Sequence, residues 1–166
     1  MSTIKLYFIQ LVMGLIPETR GFALKRALYC WTGAKIATNA RICSSAKILG
    51  NGSLIIGDNS WIGHNVTIVT TSTVVIGENV DIAPNVYIGT GTHIVDIKGN
   101  RIAGKGISKE VTIGSGTWLC AGSIVLPGST LGKMSLVAAG SLVNGNFESY
   151  SFIAGTPAKF IKSIKN

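Results

Sequence analysis

Between Ile36 and Val143 an aliphatic residue recurs every six positions. Ile36, Ile42, Ile48 and Leu54 form one run. Ile56, Ile62, Ile68 and Val74 form the next, then Ile76, Ile82, Ile88 and Ile94, and finally Ile113, Leu119, Val125, Leu131, Val137 and Val143. The register slips by two between Leu54 and Ile56 and again between Val74 and Ile76. The residue after each aliphatic is generally small (Ala37, Cys43, Gly57, Gly63, Gly77, Ala83), and the residue four after it is small or β-branched (Ala40, Ser60, Val80, Thr117, Ser135). A period of six fits neither the 3.6-residue helix nor strict strand alternation. It fits a parallel β-helix, in which each repeat gives one short strand and one corner. Three repeats close a coil, so Ile36, Ile56 and Ile76 stack over one another, and Ile113 stacks over Leu131. Successive coils lie about 4.8 Å apart, and the inward aliphatics form continuous columns.

The pattern fails in three places. Residues 4–16 read as an apolar helix with Leu6, Ile9, Val12, Met13 and Ile16 near one face, ended by Pro17. A second helical piece spans roughly 21–31, with Leu24, Leu28 and Trp31 on one side and Lys25 and Arg26 nearby. Together they suit a cap over the open end of a β-helix, which exposes backbone groups and apolar core. Apolar side chains with basic neighbours also suit the surface of an anionic leaflet. The run before Pro17 is too short for a single span. From Ile94 the chain carries Lys98, Arg101, Lys105 and Lys109 among three glycines and resumes its period only after Thr112, which predicts a loop thrown out from a corner. The tail, FIAGTPAKFIKSIKN, predicts an extended start and a short basic helix after Pro157. The expected organisation is a helical cap over 1–35, a β-helix over 36–148 with a loop over 95–112, and a tail over 149–166.

Composition narrows the class. The chain has 166 residues, 46% hydrophobic and 13% charged, which suits one folded domain rather than a disordered segment. Its net charge of +8 suits an anionic membrane or a phosphorylated cofactor. The basic residues are scattered without a nucleic-acid motif, so no nucleic-acid partner is expected. Cys30, Cys43 and Cys120 have no metal or redox spacing and read as packing residues in a reducing cytoplasm. No secretory signal is evident.

Candidate chemistry is sparse. The two histidines are His64 and His93. Strand alternation turns Thr92 and Ile94 inward and His93 outward, beside the loop, where an imidazole can serve as a general base. Stacking also aligns outward positions into a ladder: Arg41, Trp61, Asp81, Trp118 and Leu136. Two tryptophans on one flat face predict an interface between copies of the chain. Asp81 and Trp118 are in addition candidates for lining the acceptor side of a cleft that faces His93 of a neighbour.

The repeats resemble the hexapeptide acyltransferases, and the galactoside and maltose O-acetyltransferases in particular. The segment Thr67–Ile94, TIVTTSTVVIGENVDIAPNVYIGTGTHI, aligns to that subgroup without gaps, IGSGTWLCAGSIVLPGSTLG brings its tryptophan onto Trp118, and AGTPAKFIK matches its terminal pattern. The resemblance implies an all-β, left-handed parallel β-helix of about five coils with an N-terminal helical segment and a short C-terminal helix. It implies a homotrimer with acetyl-CoA as acyl donor in the groove between subunits, and no metal. It places the general base on His93 and the coenzyme contacts on Ala121, Ala139, Gly155, Lys159 and Lys162, with backbone N–H groups near Ala121 facing the oxyanion. Three departures matter: the subgroup's Thr-Lys after the last regular coil is Asn144-Gly145, its acceptor-binding Asn falls on Gly63, and its N-terminal domain is replaced by the apolar helix, a short leader that resembles those of the acetyltransferases of capsule or O-antigen synthesis. The expected activity is therefore O-acetylation of a saccharide hydroxyl in surface polysaccharide biosynthesis, in the cytoplasm or peripherally on the inner face of a membrane. Open alternatives are N-acetylation of an amino sugar, a serine or antibiotic acetyltransferase, and a non-catalytic β-helix scaffold. A β-helix carbonic anhydrase needs three histidine ligands for zinc, and the chain has two histidines.

Overall fold

A computed structural model of the chain describes residues 1–165; Asn166, the last residue of the expected tail, lies outside them. Two helices come first, α1 (Thr3–Met13) and α2 (Phe22–Trp31), and short parallel strands then wind into a three-faced prism. Strands one coil apart pair in register, Arg41 with Trp61, Ile62 with Ile82, Ile68 with Ile88 and Trp118 with Leu136. Among the described residues two faces carry six parallel strands and the third carries five, so the helix has six levels, close to the expected five. The six-residue columns are the core: Ile42, Ile62, Ile82, Leu119 and Val137 are fully buried down the second face. Fully burying each such side chain contributes roughly 1.5–3 kcal/mol relative to exposure.

The small residues have two separate causes. After the aliphatic, successive coils touch backbone to backbone: a first side-chain carbon on Gly57 would lie 2.6 Å from the carbonyl carbon of Gly77. Four residues on, buried hydroxyls satisfy corner backbone that strands cannot. Ser60 Oγ donates to Gly77 O at 2.7 Å and accepts from Val80 N at 3.0 Å, and Thr117 Oγ1 donates to Gly132 O at 3.0 Å. The corners also need left-handed backbone. Asn59, Asn65, Asn79 and Asn85 supply it at φ of 55–62°, and glycines such as Gly122 and Gly140 take over in later coils.

The helices sit on the first coil. Leu6, Ile9 and Met13 of α1 are buried in a core continuous with Ile42 and Ile48. In α2 it is the side bearing Lys25 and Tyr29 that is buried, while Leu24 and Trp31 are exposed. Tyr29 donates to Ala46 O at 3.3 Å, and its burial holds the phenol well above its usual pKa. Met1 anchors the start of α1 through its amino group, which donates to Gly52 O at 2.9 Å.

Three expectations need correction. The interruption after Thr90 is not an irregular loop but an antiparallel hairpin, Gly91–Val95 against Ala103–Ser108, standing off the prism as an arm. Thr92 and Ile94 are accordingly exposed rather than inward. The chain leaves the coil at the buried Thr90 and re-enters at Val111, which is fully buried and pairs with Val74. Finally, the tail forms no helix. Ala158–Ser163 is a strand that turns back antiparallel on Ser151–Gly155. The last parallel strand would otherwise leave an open edge, and its own continuation pairs with it.

Candidate functional site

His93 lies in the arm, opposite Gly106. A first side-chain carbon at 106 would sit 3.8 Å from His93 Nε2, an ordinary contact, so the imidazole lies over the partner strand. The ring is exposed, as expected. A knot of hydroxyls holds the arm's root. Thr90 Oγ1 donates to Val69 O at 3.2 Å and accepts from Thr71 N at 2.7 Å and Ser72 N at 3.0 Å. Ser108 Oγ, where the arm returns, donates to Thr71 Oγ1 at 2.8 Å, and Lys109 N donates to Thr90 O at 2.8 Å. Both strands of the arm are thus pinned where they leave the prism. Thr90 and Ser108 carry no motif of their own, and the run Thr70–Thr73, which hints in sequence only at a non-catalytic scaffold, contains Thr71.

The outward ladder is as expected: Arg41, Trp61, Asp81, Trp118 and Leu136 are successive partners down the second face. Trp61, Asp81 and Trp118 line an open hollow of about 400 Å³ together with Ile82 and Ala83. Trp61 is braced, with Phe22 edge-on at 6.0 Å and the Arg41 guanidinium over its ring at 5.1 Å. The hollow therefore holds a carboxylate between two indoles. His93 does not line it: the arm springs from the third face, after the strand Tyr87–Gly89, and the hollow is on the second.

The coenzyme candidates gather along the corner between those two faces. Ala121, Ala139 and Gly155 are exposed there in consecutive coils, linked by Gly140 N to Ala121 O at 3.0 Å and Gly155 N to Ser141 Oγ at 3.1 Å. The N–H groups of Cys120 and Gly122 are spent on the carbonyls of Val137 and Pro84, so of these three consecutive groups, among the described residues, that of Ala121 is the one without a partner. Gly122 and Gly140 leave open space beside it. Lys159 and Lys162 are exposed on the returning strand, opposite Ala154 and Phe152. The corner is thus a strip of small side chains with the Lys159 ammonium beside its end and Lys162 further back along the second face, a shape and charge that suit an extended thiol carrier with phosphates at one end.

His64 belongs elsewhere. Its Nδ1 lies 3.4 Å from the buried Cys43 Sγ, and Glu18 joins them, all three donor atoms lying within 4.8 Å of one another. Glu18 accepts from Ser45 N and Oγ. Beneath them is the fully buried Lys25, whose Nζ donates to Pro17 O at 3.0 Å and Glu18 O at 2.6 Å. Burial lowers the Lys25 pKa against the opposing pull of Cys43 and Glu18. Through these backbone carbonyls and the Ser45 bonds, the cluster fastens the connection between the helices to the first two coils.

Residues 53–90 match the sequence profile of the hexapeptide repeat of succinyl-transferase. A Saccharomyces cerevisiae protein provisionally named an acetyltransferase is 41% identical over 75 residues, 45% of this chain and 38% of that protein. The whole fold is shared with a hexapeptide-repeat acetyltransferase from Vibrio cholerae complexed with acetyl coenzyme A, at a TM-score of 0.76 and 24% identity over 99% of this chain and 87% of the other. The chain carries a hexapeptide repeat and shares its fold with a solved hexapeptide-repeat acetyltransferase. A structure of NeuO, a polySia-specific acetyltransferase, matches the hexapeptide-repeat chain at a TM-score of 0.69 and 30% identity, over 78% of this chain and 61% of NeuO. The match to the yeast protein spans under two-fifths of that relative's length. The parallel stacked coils are consistent with the left-handed winding expected from the resemblance.

Proposed function

We propose that the protein transfers an acetyl group from acetyl-CoA to a hydroxyl of a saccharide acceptor, as a step in surface polysaccharide synthesis. His93 Nε2 removes the hydroxyl proton as the oxygen attacks the thioester carbonyl. The Ala121 N–H faces the oxyanion that forms, and fixed donors of this kind act most strongly where charge develops. Collapse breaks the carbon–sulfur bond, and the imidazolium returns its proton to the coenzyme thiolate. The coenzyme lies along the corner through Ala121, Ala139 and Gly155, with its phosphates at Lys159 and Lys162. The acceptor lies against Trp118 and Asp81. That hollow and the arm are on different faces of one chain, so a homotrimer, with the arm of one copy reaching the hollow of the next, assembles the site. The enzyme works in the cytoplasm, peripheral to the inner face of a membrane.

The observation that carries this reading is the exposed imidazole of His93 on an arm pinned by hydroxyls, in a fold shared with an acetyl-CoA complex. The polySia-specific neighbour favours a glycan acceptor over a serine or an antibiotic. Thiol release from acetyl-CoA, measured against a panel of sugars and oligosaccharides, is the test. Wild-type protein should release thiol with at least one glycan, and His93→Ala should lose on the order of 10²–10⁴ in rate, the usual value of a general base. A His93→Ala variant with undiminished transfer would sink the mechanism.

A further inference from the structure

Helix α1 is apolar on both sides. Leu6, Ile9 and Met13 face the first coil. On the opposite side Ile4 is 82% exposed, Phe8 54%, Leu11 62% and Leu15, just past the helix end, 86%. With Tyr7, also exposed, these residues fall within an arc of roughly 100° on a 3.6-residue helix. A helix apolar all round ordinarily buries both faces. Five large side chains on one stripe are a contiguous patch, unlike scattered surface hydrophobics, and such patches mark a binding surface.

The charge around the patch indicates what covers it. Residues 1–57 contain seven Lys or Arg and a single acid, Glu18, which is already bonded to Ser45. Lys5 lies on the flank of α1 with its Nζ 4.4 Å over the ring of Trp31, an indole that is itself half exposed. Lys47 borders the C-terminal end of α1, beside Met13 and Gly14. Lys35 is exposed two residues from Gly33, whose first side-chain carbon would contact Met1. A two-fold contact between copies would bring these like charges together. No helix of the described residues is long and apolar enough to cross a membrane.

We propose that α1 lies flat in the surface of an anionic membrane, with Ile4, Phe8, Leu11 and Leu15 in the acyl boundary, Trp31 at headgroup level, and Lys5, Lys35 and Lys47 against the lipid phosphates. Apolar insertion beside basic residues is how interfacial helices bind. This names the partner surface for the peripheral location proposed above and does not depend on the transfer chemistry. Docked this way, the prism stands with its first coil at the membrane, and the His93 arm and coenzyme corner lie further along its axis.

The test is flotation of the full chain with vesicles of phosphatidylcholine alone and of phosphatidylcholine with about one-quarter phosphatidylglycerol. Wild-type protein should float with the anionic vesicles, less so at about 0.5 M salt. Phe8→Glu with Leu11→Glu should lower the partition coefficient at least tenfold. Lys35→Gln with Lys47→Gln should lower it several-fold without touching the apolar stripe, so the charge pair decides the matter if the glutamate pair fails to fold. Wild-type protein left in solution with both vesicle types, or variants that float like wild type, would overturn the proposal. A glutamate pair that changes only the mass by light scattering would assign the patch to a second copy instead. Thiol release on the same samples separates the two readings: vesicle binding without transfer would sink the enzyme and leave the docking surface standing.

Discussion

Thr90 makes no contact with the proposed reactants in this picture, yet it decides where His93 stands. Its hydroxyl accepts from Thr71 N and Ser72 N and donates to Val69 O, while its carbonyl takes Lys109 N from the returning strand. Thr90→Val keeps the shape and removes the hydroxyl, leaving two N–H groups short of an acceptor at about 1–3 kcal/mol each. The arm should then sample orientations in which the imidazole misses the acceptor. The expected outcome is a fall in kcat of up to roughly a hundredfold, the cost of a 1 Å misplacement of a positioned group, with KM for acetyl-CoA near wild type. Thr90→Ser should restore most of it. Equal loss in kcat and coenzyme KM would mean that Thr90 merely holds the fold. At this scale the sequence disclosed the inward aliphatics, all found buried except the half-buried Ile36 and the exposed Ile94. It disclosed less about the polar residues, because a buried serine such as Ser60 is recognised by the carbonyl it meets a coil away, and that pairing has no local signature.

At the level of elements, the helices and the prism are joined by the turn around Glu18. Burial acts to raise the Glu18 pKa, but the N–H and O–H bonds from Ser45, with help from His64 and Lys25, outweigh it, and the net shift is downward. A carboxylate held below its unfolded value stabilises the fold above the ordinary carboxylate range and loses that contribution as pH falls through it. Glu18→Gln should therefore melt below wild type at about pH 7, and the gap should narrow as pH falls through the lowered Glu18 pKa and the carboxylate takes up its proton. Thermal melts followed by circular dichroism across that range read the effect, and a gap that stays constant would rule out the carboxylate as its source. Elements built on the six-residue period were legible, and those that depart from it were not. In Gly91–Val95 the residue Ile94 keeps the spacing of the column, so the period alone continued the coil past Thr90. What ends it is the return of Ala103–Ser108, a pairing between exposed strands that hydrophobic spacing does not report. The strand Ala158–Ser163 was hidden for a similar reason. Lys159, Phe160, Ile161 and Lys162 fit either period, and the open edge of Ser151–Gly155 decides between them.

For the whole molecule, the separation of the arm from the indole hollow is the consequential fact. His93 leaves from the third face, Trp61, Asp81 and Trp118 stand on the second, and a β-helix is too tightly stacked to bring them together by bending. If one chain supplies the base and the next supplies the hollow, activity belongs to the interface and can be rebuilt from two defective parents. His93→Ala removes the base and leaves the hollow, whereas Trp118→Ala removes an indole and leaves the base. Each homotrimer should be deficient. Unfolding and refolding the two together in equal amounts makes mixed trimers, in which about a quarter of the sites pair an intact His93 with an intact Trp118 if subunits assort at random. Thiol release should recover to roughly that fraction of wild type, while mixing without refolding should recover nothing. A site contained in one chain gives the opposite result, because every chain in the mixture still carries one of the two defects and no exchange of partners can repair it.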